Sequence, residues 1–519
     1  MVNPQYDRLR VDRTHGRKTP AVSDFGAVSA HHYAAAEAGA AVLEEGGNAV
    51  DAAVTAAFAL QNVEPWMTSL AACGYMLVAE PDGTVTVIEF TGRVPAKFDP
   101  DLYRPDPVLK TFIGHPATVG ETNVRGFTAA VVPGCVAGFA EALSRFGTIP
   151  FARALAPAIA GAKAGQTVDW HATLAIALGE AELLADPGCR ARFLPSGHPP
   201  EPGSVLSTGA LAATLETLAA EGPGALYGGS IGEALVADLA AGGSPLTLAD
   251  LKAYQPLVYP AVAMPFGDKI VHVAGDTSGG RRLFDALGHF AAHRGPGPVD
   301  AGFFTAQAEA LWHAFDAHRR RLIPAETNPK SSTTQVNAVD KDGRMVAITF
   351  TLLNRFGARA LSERTGILLN NGMSWFDPRP DRVTTLTPNA YAPSNMCPVA
   401  ITDDRGPFAV LGAAGGNQIV PVMSQLTAML VMANFDPEDA MNTPRMSTGP
   451  SRDITVNVDM DPAWLEALAS IATLKPAQQT IFPRPFAAPD VLGRRGQGFV
   501  AMPDTTYPAA YAAAAARRS

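Results

Sequence analysis

The chain has 519 residues, 47% of them hydrophobic, and a formal net charge of −9 at pH 7. That length exceeds what one hydrophobic core usually supports, so two lobes or two packed layers are expected. The acidic balance argues against nucleic acid as a partner, and the apolar residues are too interrupted for a membrane span.

In chain order, the charged start at residues 1–8 has no apolar stretch behind it. No secretory signal is therefore expected, and the predicted location is cytoplasmic. Ser29 to Glu45 is alanine-rich with apolar positions at helical spacing, and Gly46-Gly47 ends that helix. Asn48, followed by Asp51, reads as the N-cap of a second, more buried helix running through Leu60. Alternating runs at 75–80 and 84–89 flank Pro81-Asp82-Gly83 and predict a hairpin. Residues 135–260 read as mostly helical with Gly and Pro punctuation. Strands return at 331–339 and 345–351, joined by Asp340-Lys341-Asp342-Gly343, where glycine supplies the positive φ of a tight turn. Residues 399–401 and 408–411 form a further strand pair around 403–406, and a helix from Gln418 to Met432 follows. The alanine-rich end, Ala509 to Ser519, reads as a frayed or helical tail. Pattern alone gives a mixed α/β chain. Cys73, Cys135, Cys189 and Cys397 are widely spaced and form no CxxC pair, so neither a zinc site nor a disulfide framework is expected.

The cluster Ser331-Ser332-Thr333-Thr334 heads the first strand of the Asp340–Gly343 hairpin. Folded about Asp342, that hairpin sets Thr333 opposite Thr351. Two facing threonines are ordinary β-propensity, or they are a hydroxyl nucleophile and its orienting partner. Further blocks surround them: Glu45-Gly46-Gly47-Asn48-Ala49-Val50-Asp51, Val63-Glu64-Pro65, Val132-Pro133-Gly134-Cys135, Thr365-Gly366-Ile367-Leu368-Leu369-Asn370-Asn371, Ser394-Asn395-Met396-Cys397-Pro398 and Gly412-Ala413-Ala414-Gly415-Gly416. Taken in this order, they resemble the gamma-glutamyltransferase (gamma-glutamyltranspeptidase) family of N-terminal nucleophile hydrolases. The resemblance implies an α+β fold, the four-layer αββα sandwich, as a single globular unit cleaved into two parts. The large part, residues 1–332, would be mostly helical with sheet strands. The small part, residues 333–519, would begin with the nucleophile Thr333.

A threonine hydroxyl is weak at its ordinary pKa and needs a base within hydrogen-bond reach. An N-terminal threonine brings its own: a free α-amine, with a pKa of about 7.7–8, accepts the hydroxyl proton directly or through water. That amine exists only once the Ser332–Thr333 bond is cut, so a proenzyme that cleaves itself is expected. No histidine follows His318, which fits acyl chemistry run by an amine rather than an imidazole. By the resemblance, Thr351 orients the Thr333 hydroxyl, and the amides of Gly415 and Gly416 stabilise the oxyanion. A plain tight turn is the bland alternative for the glycine pair. A phosphate-binding loop is disfavoured, because Asn417-Gln418 stands where Lys and Ser or Thr would be needed.

Substrate recognition departs from the transferase pattern. Thr91 stands where the family's carboxylate-binding arginine is expected, with Arg93 two residues on. The family's serine pair becomes Ser394-Asn395. Trp375 replaces an acidic ligand for the amino group and offers a cation only its ring face. Leu353 replaces a polar residue. Arg93, Asn371, Trp375, Ser394 and Asn395 are therefore the candidate substrate-binding residues. The run Asn371-Gly372-Met373-Ser374-Trp375-Phe376-Asp377-Pro378 is similar to the acylase-like branch of the family, which includes cephalosporin-acylase homologues. The segment from Leu322 to Ser332 is shorter than its counterpart in the family.

The function so implied is an amidohydrolase that takes a γ-glutamyl-like acyl group from a small-molecule amide through a threonyl acyl-enzyme. Water or an amine then accepts that acyl group. Two alternatives stay open: a cephalosporin-acylase-like amidase without γ-glutamyl selectivity, and a family scaffold that no longer matures. The two fragments would form a heterodimer, with further oligomerisation open, and no metal, organic cofactor, nucleic acid or membrane is implied. A different enzyme class is suggested by Gly228-Gly229-Ser230-Ile231-Gly232, which matches a serine-hydrolase elbow. That motif needs a strand before it, whereas residues 222–227 read as a loop and Ser230 as a helix N-cap.

Overall fold

The computed structural model describes residues 18–111, 113–321, 331–482 and 484–517. Two seven-stranded antiparallel sheets dominate it. In the first, Ser331–Val339 lies between Ala27–Ala30 and Met345–Asn354. Cys73–Ala79, Val85–Phe90 and Leu257–Pro260 continue that sheet on one side, and Tyr511–Ala514 forms its other edge. The second sheet is centred on Val399–Asp403, Gly406–Ala414 and Ala488–Arg495.

Alternation along the strands assigns each sheet face. Met76, Val78 and Ile88 enter a core shared with helices Tyr33–Glu44, Ala49–Val63, Cys135–Phe146 and Phe151–Ala164. Their neighbours Tyr75, Leu77 and Val87 share a different core with Ala400, Val410 and Leu492 of the second sheet. Val271, Val399, Ile401 and Leu411 turn instead toward helices Gly280–His293, Ala301–Arg321 and Ile419–Met432. Both sheets are thus apolar on both faces.

The second helix begins as its sequence predicts. The Asn48 side chain accepts from the amides of Val50 and Asp51, and Asp51 returns a bond to Asn48 N at 2.9 Å. The first helix starts later than expected, at Tyr33, because Ala27–Ala30 is a strand paired on both sides. One of those partners corrects the C-terminal prediction: Tyr511–Ala514 is an edge strand, not a frayed or helical tail. Unpaired amides along Ala27–Ala30 require a partner, and that requirement overrides the helical preference of alanine. Residues 135–260 are mostly helical, interrupted by the short strands Gln166–Thr167 and Val205–Leu206 and ending at Leu257–Pro260. The predicted short segment before the nucleophile lies, from Leu322 to Lys330, outside the described residues.

The Thr333 hairpin follows the expected register from Val339↔Met345 to Thr334↔Phe350, and Gly343 at its turn has φ 86°. There the ladder shifts, and Ser332 pairs with Leu353. Thr333 therefore faces two residues, Thr351 and Leu352, in a β-bulge, a device that re-aims side chains at strand ends.

Candidate active site

The bulge gathers two hydroxyls on one carbonyl. Thr333 Oγ1 donates to Ser332 O at 2.8 Å, and Thr351 Oγ1 donates to the same oxygen. The Leu353 amide in turn donates to Thr351 Oγ1 at 2.7 Å. Leu353 takes φ 85°, a region a bulky residue adopts only when its surroundings impose it. Ser332, Thr333 and Thr351 are 2%, 3% and 2% exposed, so bulk water does not compete for these bonds. Two hydroxyls thus converge on the carbonyl oxygen of the Ser332–Thr333 peptide bond.

The glycine pair lies where a strand becomes a helix. Gly406–Ala414 ends at Gly415 (φ 148°) and Gly416 (φ 56°), and Ile419–Met432 follows. A Cβ at Gly415 would come within 2.7 Å of Ala487 Cβ, so a side chain is excluded on both counts. Gly415 and Ser332 line one cavity. Among the described residues neither glycine amide donates to a backbone carbonyl, which leaves both available to an oxyanion.

The predicted substrate residues do not gather at one point. Asn395 reaches the glycine turn: its amide donates to Asn417 Oδ1, and its Oδ1 accepts from Arg282 Nη2. Ser394 is tied instead to the loop before helix Gly280–His293, its N–H donating to Thr277 O at 2.7 Å. Asn371 Oδ1 accepts from the Asn354 amide at 3.0 Å and so braces the strand leaving Thr351. Trp375 and Leu353 are buried together in the core between the sheets, with Met396 and Phe376. Arg93 is engaged away from these groups, donating to Ala253 O at 3.0 Å and to Asn389 Oδ1 at 2.5 Å. Thr91 donates to Glu89 Oε1 at 3.1 Å, and Thr277 and Tyr259 supply further hydroxyls to that buried carboxylate. The position expected to receive a substrate carboxylate therefore already holds one.

A family model described as gamma-glutamyltranspeptidase matches residues 35–328 and 305–512. The chain belongs to the gamma-glutamyltranspeptidase family. It is 34% identical over 471 residues to "Acylase ACY 1 proenzyme" of Pseudomonas sp. (strain V22), covering 83% of this chain and 84% of that one. It is 28% identical over 482 residues to "Glutathione hydrolase proenzyme" of Escherichia coli (strain K12), covering 82% and 81%. Its fold is similar to that of a cephalosporin acylase from Bacillus halodurans, with a TM-score of 0.85 at 21% identity over 97% of this chain and 98% of that one.

Sequence reasoning missed several residues at this gamma-glutamyltranspeptidase-family site. Arg282 is buried, and burial lowers its pKa only to about 10, so it stays charged at neutral pH. Gly279-Gly280 just before it was the available signal: a Cβ at Gly279 would come within 2.8 Å of Asn395 O. Glu64, inside the quoted Val63-Glu64-Pro65 block, accepts from Thr334 Oγ1 at 2.9 Å and Tyr507 OH at 2.5 Å, against the strand Ser331–Val339. Burial pushes its carboxyl up from 4.5 to about 7, with the two hydroxyls opposing. The folded state thus binds this proton more tightly than the unfolded state. Its stabilising effect is complete below pH 4.5 and is lost as pH rises to about 7. In Glu64→Gln the stability advantage of the native protein should therefore shrink across that interval, by up to about 3 kcal/mol. Urea unfolding of both proteins at several pH values checks this, and a pH-independent difference would refute it.

Ser230 does not sit on a strand-to-helix elbow. It is the first residue of helix Ser230–Ala241 rather than its N-cap, which is Gly229, and a 3-10 turn rather than a strand precedes it. Among the described residues no group of three His, Cys, Asp or Glu could hold a metal, and no helix is long and apolar enough to cross a membrane.

Proposed function

We propose that this chain is a self-cleaving amidohydrolase with an N-terminal threonine nucleophile, acting as an acylase rather than as a γ-glutamyl-selective enzyme. The observation that carries this is the pair of hydroxyls, Thr333 and Thr351, on the Ser332 carbonyl. In self-cleavage Thr333 Oγ1 adds to the Ser332 carbonyl carbon, and the Ser332–Thr333 C–N bond breaks with the hydroxyl proton passing to nitrogen. Water then hydrolyses the resulting ester. The products are a Ser332 carboxylate and a free Thr333 amine, which ends the large part at residue 332 and starts the small part at 333. In each later cycle that amine takes the Thr333 hydroxyl proton and Thr351 orients the oxygen. The Gly415 and Gly416 amides hold the oxyanion, and water or an amine accepts the acyl group. The three cores about two sheets support an αββα layering, and the word "proenzyme" in the names of both relatives supports processing into paired fragments.

The acylase preference rests on burial of Trp375 and Leu353 in apolar surroundings and on the occupation of Thr91 by Glu89. No acidic group stands at Trp375 to balance a glutamyl ammonium. We expect γ-glutamyl-p-nitroanilide to be turned over more slowly than an acyl p-nitroanilide lacking the α-amino group. Equal or faster turnover of the glutamyl compound would overturn the preference. Intact mass and N-terminal sequencing of fresh protein test the processing itself. A fragment beginning at Thr333 supports the proposal, and a single uncut chain would favour a scaffold that does not mature.

A further inference from the structure

Between the two sheets the packing is largely apolar, with Tyr75, Leu77 and Ala347 in one core with Ala400, Val410 and Leu492. A chain of hydrogen bonds crosses this layer. Thr349 Oγ1 donates to Gln335 Oε1 at 2.5 Å, and Gln335 Nε2 donates to Asn337 Oδ1 at 2.8 Å. Asn337 Nδ2 then donates to the Asp490 carbonyl at 3.0 Å. Thr349, Gln335 and Asn337 belong to the first sheet and Asp490 to the second, and all four are fully buried. In the second sheet Asp490 pairs with Gly412, and a Cβ at Gly412 would collide with Gln335 Oε1. Glycine at this position is what lets the Gln335 amide reach the facing sheet.

Gln335 and Thr349 are ladder partners, two residues on from Thr333 and two before Thr351, so all four share one face of the sheet. Gly412 lies three residues before Gly415, on the strand that ends in the glycine turn. The hydroxyl pair and the glycine amides therefore stand on different sheets. Apolar contact is non-directional and leaves packed sheets free to shift by a fraction of an ångström. Buried hydrogen bonds hold one register, because a shift would leave polar groups unpaired away from water.

We propose that Gln335 and Asn337 are positioning residues, whose bridge to Gly412 and Asp490 sets the glycine turn of the second sheet at its working distance from Thr333. The inference rests on the reading of Thr333 as nucleophile and of the Gly415 amide as oxyanion donor. Both residues act through those groups and not on the substrate. The bridge serves turnover rather than self-cleavage, because the two hydroxyls on the Ser332 carbonyl both belong to the first sheet.

The test uses the full chain with Gln335→Met, which keeps the side-chain length and removes its hydrogen bonds. Thr349→Val removes only the hydroxyl that holds Gln335 and is the milder second variant, read in the same way if Gln335→Met does not fold. Intact mass followed over time should show both cutting themselves as the native chain does. In the mature proteins kcat on an acyl p-nitroanilide should fall about tenfold with KM little changed, a fraction of the ~10²-fold that a displacement of about 1 Å costs. Gln335→Glu, whose buried carboxyl stays protonated and keeps one donor and one acceptor, should recover part of that loss at about pH 6 relative to the native enzyme. Added to Gly415→Ala, Gln335→Met should cost far less than it does alone, since the donor it positions is already lost. An unchanged kcat in both single variants overturns the inference, and so do fully multiplicative losses in the double variant. Self-cleavage slowed as much as turnover overturns it too, because the damage would then lie in the Thr333 strand itself. Turnover retained by Thr333→Ala, or full activity of Gly415→Ala, would remove the underlying reading and this inference with it.

Discussion

Thr333→Ala is expected to give a single uncut chain without amidase activity. The side chain is buried, and its hydroxyl bonds only a carbonyl of the adjoining residue. Truncation should therefore cost about 1 kcal/mol of stability and leave the fold intact. Chemistry is affected far more, because in the proposed mechanism Thr333 both attacks Ser332 and carries the acyl group. Loss of a nucleophile typically removes ~10⁴-fold or more of the rate. Intact mass, N-terminal sequencing and p-nitroanilide turnover read the two consequences separately. Thr333→Ser, which keeps the oxygen, should still cut itself and turn over. Recovery of a cut, active alanine variant would remove Thr333 from the mechanism.

Gly415→Ala should separate self-cleavage from catalysis. At φ 148°, with Ala487 Cβ only 2.7 Å from the position of an added methyl, the turn must shift to admit alanine. Strain of this kind costs about 1–3 kcal/mol, and loss of one oxyanion donor lowers kcat by about 10²–10³-fold. The Ser332 carbonyl, by contrast, is held by Thr351 and Thr333 in the uncut chain. The variant should therefore still process, and its mature form should show a kcat reduced about 10²-fold with KM little changed. Steady-state kinetics on the processed protein check this. Full activity would show that the Gly415 amide does not serve the oxyanion.

The parts of this protein that its sequence made legible are those built from near neighbours. Asn48 and Asp51 are three residues apart and close a capping box on their own helix. The Asp340–Gly343 turn fixes the register of the strands it joins as far as Thr334↔Phe350. Gly415-Gly416 is recognisable because a strand, two glycines and a helix are consecutive. Where the ladder shifts, local arithmetic fails. The bulge at Thr351–Leu352 depends on a Leu353 backbone at φ 85°, braced through Asn354 by Asn371 from a later segment.

The sequence by itself determined the Asp340–Gly343 hairpin, the Asn48 cap and the glycine turn at Gly415-Gly416. Only the tertiary structure decided that the alanine-rich end is an edge strand and that Glu64 lies under Thr334. It alone shows that Arg282 reaches the glycine turn through Asn395, and that Gln335 lies against Gly412 of the facing sheet. The physical reason is separation along the chain. Tyr507 meets Glu64 across 443 residues and Arg282 meets Asn395 across 113. No periodicity or spacing rule encodes such a contact; it arises when apolar burial brings distant elements together and their polar side chains must find partners there.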